Sequence, residues 1–202
     1  MRAMFAAAAV LALAGCSKNA GTPERATAPT TEAASSVESE TIESASTAAS
    51  YEPMAPFAPF SGKAFRGEWS DPDGTKNVDI ATYDLILNGR ALQSTHRLEG
   101  KDYGGRTIFF YDEGAKNYVF HYFTTAGFHT TGVSEFVDGG LITDEKVEGH
   151  ETIGSVRSKV TFGADEILID VVYVGKDGSE TPGGSRVYRP IADPGRLFPD
   201  TE

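Results

Sequence analysis

At 202 residues the chain has room for one or two domains. Its net charge of −11 at pH 7 argues against nucleic acid as a partner, because phosphate binding needs clustered Lys and Arg, and against electrostatic adhesion to anionic lipid headgroups. A single cysteine, Cys16, excludes an intrachain disulfide and a redox pair.

In chain order, residues 1–15 carry one positive charge, Arg2, followed by an apolar run from Met4 to Ala14. The run is too short to cross ~30 Å of hydrocarbon, which needs about 20 residues. It fits the apolar region of a secretory signal peptide with small residues at its end. Leu13-Ala14-Gly15-Cys16 resembles the lipobox of bacterial lipoproteins. That resemblance implies cleavage before Cys16 and a multiply acylated cysteine at the mature terminus. Two or more acyl chains anchor stably where one binds marginally. Ser17, rather than Asp, follows the cysteine; in lipoproteins of the enterobacterial kind this favours the outer membrane, with the protein facing the periplasm. The alternative is an ordinary cleaved signal with an incidental cysteine.

Residues 16–55 are rich in Ala, Ser, Thr, Glu and Pro, and their few larger apolar side chains, such as Val37, Ile42 and Tyr51, are isolated. Such a segment buries too little apolar surface to offset the entropy of ordering, which predicts a disordered tether. Its six glutamates against Lys18 and Arg25 should keep it open. A coil of this length spans on the order of 35 Å, enough to lift a domain clear of lipid headgroups.

After residue 55 the composition becomes aromatic, β-branched and Gly-rich, with turn signals about every ten residues, the pattern of an all-β sandwich or barrel. Strands are expected near 63–70, 77–88, 90–99, 105–112, 117–124, 127–137, 141–148, 152–162, 166–175 and 184–189. Asp73-Gly74, Asn88-Gly89, Asp138-Gly139 and Asp177-Gly178 supply the left-handed positions of tight turns. Short loops predict an antiparallel meander, with a short helix or turn around Pro56-Phe60 plugging one end. Alternation places Phe65, Gly67 and Trp69 on one face of the first strand and Leu92, Ser94, His96 and Leu98 on one face of the third. The ninth strand is apolar on both faces, through Ile167, Ile169, Val171 and Tyr173 on one and Leu168, Val172 and Val174 on the other, as if covered on both sides. Closing the sheet would remove its edges, and about ten strands leave an interior wide enough for a ligand; an open two-sheet sandwich is the competing architecture.

Gly67-Glu68-Trp69 on the first strand, with Tyr188-Arg189 on the last, resembles lipocalins and other calycins. That resemblance implies an arginine, here Arg189, packed across the Trp69 indole to close one end of the barrel by a cation–π contact of ~0.5–2 kcal/mol. Residues 60–190 are similar to an uncharacterised family of bacterial domains with a calycin-like barrel, through those motifs together with Leu87-Asn88-Gly89-Arg90-Ala91-Leu92, Phe110-Tyr111-Asp112, Lys116 and Tyr118. The resemblance implies a ligand-sized interior and no particular chemistry.

Candidate chemistry is sparse. His121 and His129 flank a hairpin turn and would face each other only if the loop were one residue longer than two; with no cysteine to join them, zinc lacks a ligand set. His96 is a candidate axial haem ligand, although no haem-binding motif accompanies it, and a satisfied interior histidine is the commoner reading. There is no Gly-x-Ser-x-Gly elbow, no phosphate-binding loop and no EF-hand around Asp71-Pro72-Asp73-Gly74. The acidic pairs Asp144/Glu145 and Asp165/Glu166 read as solvated surface charge. The strongest local signal is aromatic crowding between residues 109 and 128, read either as core or as an apolar pocket with a few polar groups. The resulting expectation is a signal peptide at 1–15, a lipidated linker at 16–55, a calycin-like barrel at 56–192 and a tail at 193–202. The barrel is expected to bind a small hydrophobic or amphipathic ligand through His96, Phe109, Tyr111, Phe120 and Tyr122, without cofactor, metal or catalytic residues. A filled barrel that docks an envelope protein is the first rival and an enzyme the second.

Overall fold

The computed structural model describes residues 51–71, 74–163 and 165–198. The signal segment, Cys16 and the linker as far as residue 50 lie outside the described residues, as do Pro72 and Asp73 of the first expected turn. A 3-10 helix, Glu52–Phe60, precedes ten strands: β1 Lys63–Ser70, β2 Lys76–Ile86, β3 Ala91–Leu98, β4 Gly104–Asp112, β5 Asn117–Thr124, β6 His129–Val137, β7 Gly140–Glu148, β8 Ile153–Phe162, β9 Ile167–Gly175 and β10 Glu180–Ile191. Every neighbouring pair is antiparallel, and β1 pairs with β10 as well as with β2, which closes the meander into a barrel. Closure satisfies the ladder donors and acceptors that an open sandwich would leave on two edges.

The short helix begins at Glu52, inside the segment expected to be linker, because Met54 and Phe57 supply an apolar stripe that the barrel end can bury. Pro53 falls in the first turn, where no intrahelical donor is needed, and Pro56 and Pro59 lie inside the helix. Phe57 meets Phe109, Tyr118, Phe136 and Phe162 at ring-centroid distances of 5.3–6.2 Å, so the helix stoppers the barrel with aromatic contacts. This is the capped end. At the far end lie the loops following β1, β3, β5, β7 and β9.

The strand period of two sends Phe65, Gly67 and Trp69, and then Leu92, Ser94, His96 and Leu98, to the inside as expected. On β9, Leu168, Val172 and Val174 are half-buried on the outer wall, and no second layer among the described residues covers them as the sequence led one to expect. β10 starts at Glu180, four residues earlier than expected. Pro182-Gly183-Gly184 reads as a turn in sequence, but the structure takes it up as a bulge between Pro182 and Gly184. Two glycines are set by close approach. A Cβ on Gly67 would stand 2.6 Å from the Tyr188 ring, and one on Gly132 would overlap the ring of Phe120. After β10 the chain crosses the outer wall: the Leu197 carbonyl accepts a hydrogen bond from Arg97 at 3.3 Å, and the Phe198 ring lies 5.6 Å from the same guanidinium.

Candidate functional site

The interior is divided along the barrel axis. Toward the capped end it is apolar, with Phe65, Leu92, Phe109, Tyr118, Leu141, Val160 and Ile167 all buried. Toward the far end it is polar, and the polar groups form a connected chain. β2 directs Asp79 inward, and neighbouring β3 directs His96 inward two register steps away. His96 Nδ1 lies 2.9 Å from Asp79 Oδ1, and its Nε2 lies 2.8 Å from the Tyr122 hydroxyl on β5. The Tyr122 hydroxyl is 2.8 Å from that of Tyr103, in the loop before β4, while the Tyr188 hydroxyl on β10 donates to Asp79 Oδ2 at 3.0 Å. All five residues are at most 3% exposed. Burial pushes the Tyr122 phenol well above its ordinary range, and the neighbouring Tyr103 adds to the effect. Tyr188 is raised likewise, by burial first and then by the charge of Asp79.

Two further groups complete the polar half. Glu145 on β7 points inward and is 2% exposed. It accepts from Thr130 through Oε1, and its Oε2 has no hydrogen-bond partner among the described residues. Burial raises its carboxyl well above the ordinary range, against the opposing pull of Thr130. Asp144 faces outward, so the expectation that both acids are solvated holds for only one of them. Period-two alternation through Leu141, Thr143, Glu145 and Val147 was the signal that could have separated them.

The second group is an arginine. Arg186 is 2% exposed, sits 4.3 Å from the Trp69 ring centroid, and donates to the Tyr173 hydroxyl at 3.2 Å. The cation–π closure implied by the calycin resemblance is therefore present but made by Arg186. Arg189 instead lies on the outer wall, 68% exposed, paired with Glu166 at 3.2 Å. The two differ by an odd number of residues on one strand, which puts them on opposite faces.

The order carboxylate–imidazole–hydroxyl is that of a base-activated nucleophile. Here the hydroxyl is a phenol with no exposed surface, already bonded to a second phenol, so no substrate atom can reach it. Both ring nitrogens of His96 are engaged, leaving no lone pair for an axial haem bond. Among the described residues no group of three or more His, Cys, Asp and Glu side chains could hold a metal ion. His121 and His129 face outward with Phe123 stacked between them, at 6.3 and 6.2 Å.

Of the residues expected to line a ligand site, His96, Phe109, Phe120 and Tyr122 are buried inside and Tyr111 is partly buried against the core. They are packed against other side chains: Phe109 stacks on Phe120 at 4.8 Å, His96 bonds Tyr122, and Tyr111 meets Tyr118, outside the expected set, edge-on at 5.2 Å. Side chains around an open lumen would show accessible surface toward it. Phe120, Tyr122, Tyr188, His96, Glu145 and Arg186 show 2% or less. Hollows do occur at the ends. One of about 380 Å³ at the far end is bordered by Thr152, Ile153, Tyr173, Lys176, Ser179 and Thr181. Another, of about 520 Å³, lies between the cap helix and the β2–β3 turn.

No known protein family matches the chain in sequence, and no curated protein does so. What stands of the resemblance is the closed ten-stranded antiparallel barrel, which is consistent with a calycin-like fold.

Proposed function

We propose that this protein is a lipid-anchored component of a bacterial cell envelope, held by an acylated Cys16, whose barrel serves as a solid docking module for an envelope protein. The anchor rests on the lipobox-like Leu13-Ala14-Gly15-Cys16, and Ser17 favours the outer membrane facing the periplasm. The docking reading rests on one observation: the barrel is stoppered at one end by Met54 and Phe57, closed at the other around Trp69 and Arg186, and filled between by buried side chains, of which Phe120, Tyr122, Tyr188, His96 and Glu145 are 2% exposed or less. A filled barrel presents its wall, and the wall has an apolar row. Phe110 on β4, Val119 on β5 and Val133 on β6 stand side by side, with Phe110 48% and Val133 45% exposed. Exposed apolar surface of this kind marks an interaction site when it is contiguous.

A photo-crosslinking side chain at Phe110 or Val133, in the native host, should trap one discrete envelope protein, while the same group at Arg189 on β10, five strands round the barrel from β5, should not. Equal yields from both positions would sink the reading. A second reading, binding of a small amphipathic ligand, is favoured by the far-end hollow with its apolar floor of Ile153 and Tyr173 and its Thr152, Ser179 and Thr181 rim. Native mass spectrometry of the protein extracted from its own membranes separates the two: a copurifying molecule lost on denaturation would establish the ligand reading instead.

A further inference from the structure

The β1–β2 hairpin and the β3–β4 loop meet at the far end of the barrel, where three side chains of complementary chemistry touch. Asn77 is the second residue of β2 and faces inward, 4% exposed. Two acceptors and one donor fix its carboxamide. Nδ2 donates to Asp71 Oδ2 at 2.9 Å and to the Thr75 carbonyl at 3.5 Å, while Oδ1 accepts from Lys101 Nζ at 2.5 Å. An amine, a carboxamide and a carboxylate are thereby held around one carbonyl carbon. The amine stands on the oxygen side, and the carboxylate stands on the nitrogen that would leave if the amine attacked.

Backbone bonds make that placement. The Asp71 amide donates to the Thr75 carbonyl at 2.9 Å and the Gly74 amide to the Asp71 carbonyl at 2.9 Å, which closes the turn that presents the Asp71 carboxylate. In the β3–β4 loop the Glu99 amide donates to the Val78 carbonyl at 2.8 Å and the Lys101 amide to the Leu98 carbonyl at 3.2 Å. Gly100, with φ of +69°, supplies the left-handed step that turns Lys101 back toward β2. Asp71 and Lys101 are both half-buried. A carbonyl bond is about 1.2 Å long, so Nζ stands no more than about 3.7 Å from Asn77 Cγ. Well-oriented groups about 3–3.5 Å apart react as if present at about 10⁵ M or more, and the fold brings this pair to the edge of that range.

We propose that Lys101 and Asn77 join in an intramolecular isopeptide bond, with Asp71 as the proton carrier. The neutral amine of Lys101 attacks Asn77 Cγ. Asp71 takes the proton that Nζ sheds and delivers it to Nδ2, the Cγ–Nδ2 bond breaks, and ammonia leaves. One amide replaces another, so the step needs no oxidant and no co-reactant, and loss of ammonia to bulk water pulls it forward. The bond would tie the loop that carries Tyr103, the last hydroxyl of the interior chain, to the strand that carries Asp79. It would lie beside Trp69, the residue opposite Asn77 in the β1–β2 register, and would staple the far end shut.

The test is mass spectrometry of the full chain, isolated from its host and digested with trypsin. An unlinked chain yields residues 77–90, 98–101 and 102–106 as separate peptides. A linked Lys101 resists cleavage, so the bond predicts one branched peptide joining 77–90 to 98–106, lighter than its two parts by one ammonia, about 17 Da. The free amine is the attacking form, so any unlinked fraction should convert several-fold faster at pH 9 than at pH 7. Asp71→Asn, checked for an unchanged fold by circular dichroism, should form the branched peptide about tenfold more slowly. Only linear peptides from the wild-type chain, after days at pH 9, overturn the bond and leave an ordinary hydrogen bond in its place. A branched form of 77–90 that persists in the Lys101→Arg chain assigns the link to another lysine and overturns the pair. Equal rates in the wild type and Asp71→Asn overturn the carrier role of Asp71.

Discussion

Glu145→Gln should remove a pH dependence of stability that the wild-type barrel carries. Glu145 is buried on β7, and its carboxyl is raised well above the ordinary value by burial. In the unfolded chain the same group titrates near 4.5. Its folded pKa is therefore the higher, so its contribution to stability is complete below the unfolded pKa and is lost as pH rises toward the folded one. Across that window the native state holds one proton that the unfolded state has released, and stability falls by about 1.4 kcal/mol per pH unit. The glutamine amide would keep the acceptor that Thr130 uses and cannot ionise, so the variant's curve lacks this slope. With a urea m-value of about 2 kcal/mol/M, the midpoint of the variant should gain roughly 0.7 M on the wild type for each unit above pH 5. Urea titrations of both proteins at pH 5, 6 and 7, followed by circular dichroism, give the comparison. Midpoints that run parallel across the three pH values would refute the reasoning, because they would mean that Glu145 is ionised and satisfied in the native state.

Phe120→Ala should cost about 3–5 kcal/mol in the same titration, since the ring is 1% exposed and stacked on Phe109; a loss under 1 kcal/mol would mean that the lumen is open rather than filled. Arg186→Met should shift the emission of Trp69, the sole tryptophan, while Arg189→Met should leave the emission alone and change stability by no more than about 0.5 kcal/mol; the reverse pattern would restore Arg189 to the barrel closure. Asp79→Leu alone should destabilise the protein by about 3–5 kcal/mol by leaving buried His96 and Tyr188 without the acceptor they share, whereas Asp79→Leu with His96→Leu should recover much of that loss but broaden the amide spectrum; sharp, single resonances in the double variant would count against a specifying role for the pair.

The barrel was legible because it is written in local terms. Turn dipeptides such as Asn88-Gly89 and Asp138-Gly139 fix where strands stop, and a two-residue period fixes which side chains face in, so most expected strand ends fall within two residues of those observed. β10 was shortened because Pro182-Gly183-Gly184 has the composition of a turn, and only pairing with β9 makes it a bulge. The polar interior was harder to see. Asp79 lies on a strand whose outward residues, Val78 and Ile80, are more apolar than its inward Asn77 and Asp79, so hydropathy pointed the wrong way there. Arg186 and Arg189 are indistinguishable by type, and only the parity of their positions relative to Tyr188 separates the buried one from the exposed one. Whether the lumen was open depended on how rings from five or more strands fill a common volume, and no local pattern encodes that.

The polar half of the core has a task that the apolar half cannot perform. In a ten-strand meander, sliding one strand by a single residue turns its apolar set outward and is strongly disfavoured, but a slide by two residues restores the inward pattern. Leu, Val and Phe rows accept such a slide with only a repacking loss. The chain Tyr188–Asp79–His96–Tyr122–Tyr103 does not: it joins β10, β2, β3, β5 and the loop before β4 through contacts of 2.8–3.0 Å, and a two-residue slide of β2 or β3 would strand a carboxylate and an imidazole in a dry interior. A buried charge left alone costs several kcal/mol, far more than the repacking it would accompany. The interior histidine is therefore best understood as part of a register lock, and the closing β1–β10 pair as its beneficiary, because closure succeeds only when the slides of all ten strands sum to the right shear.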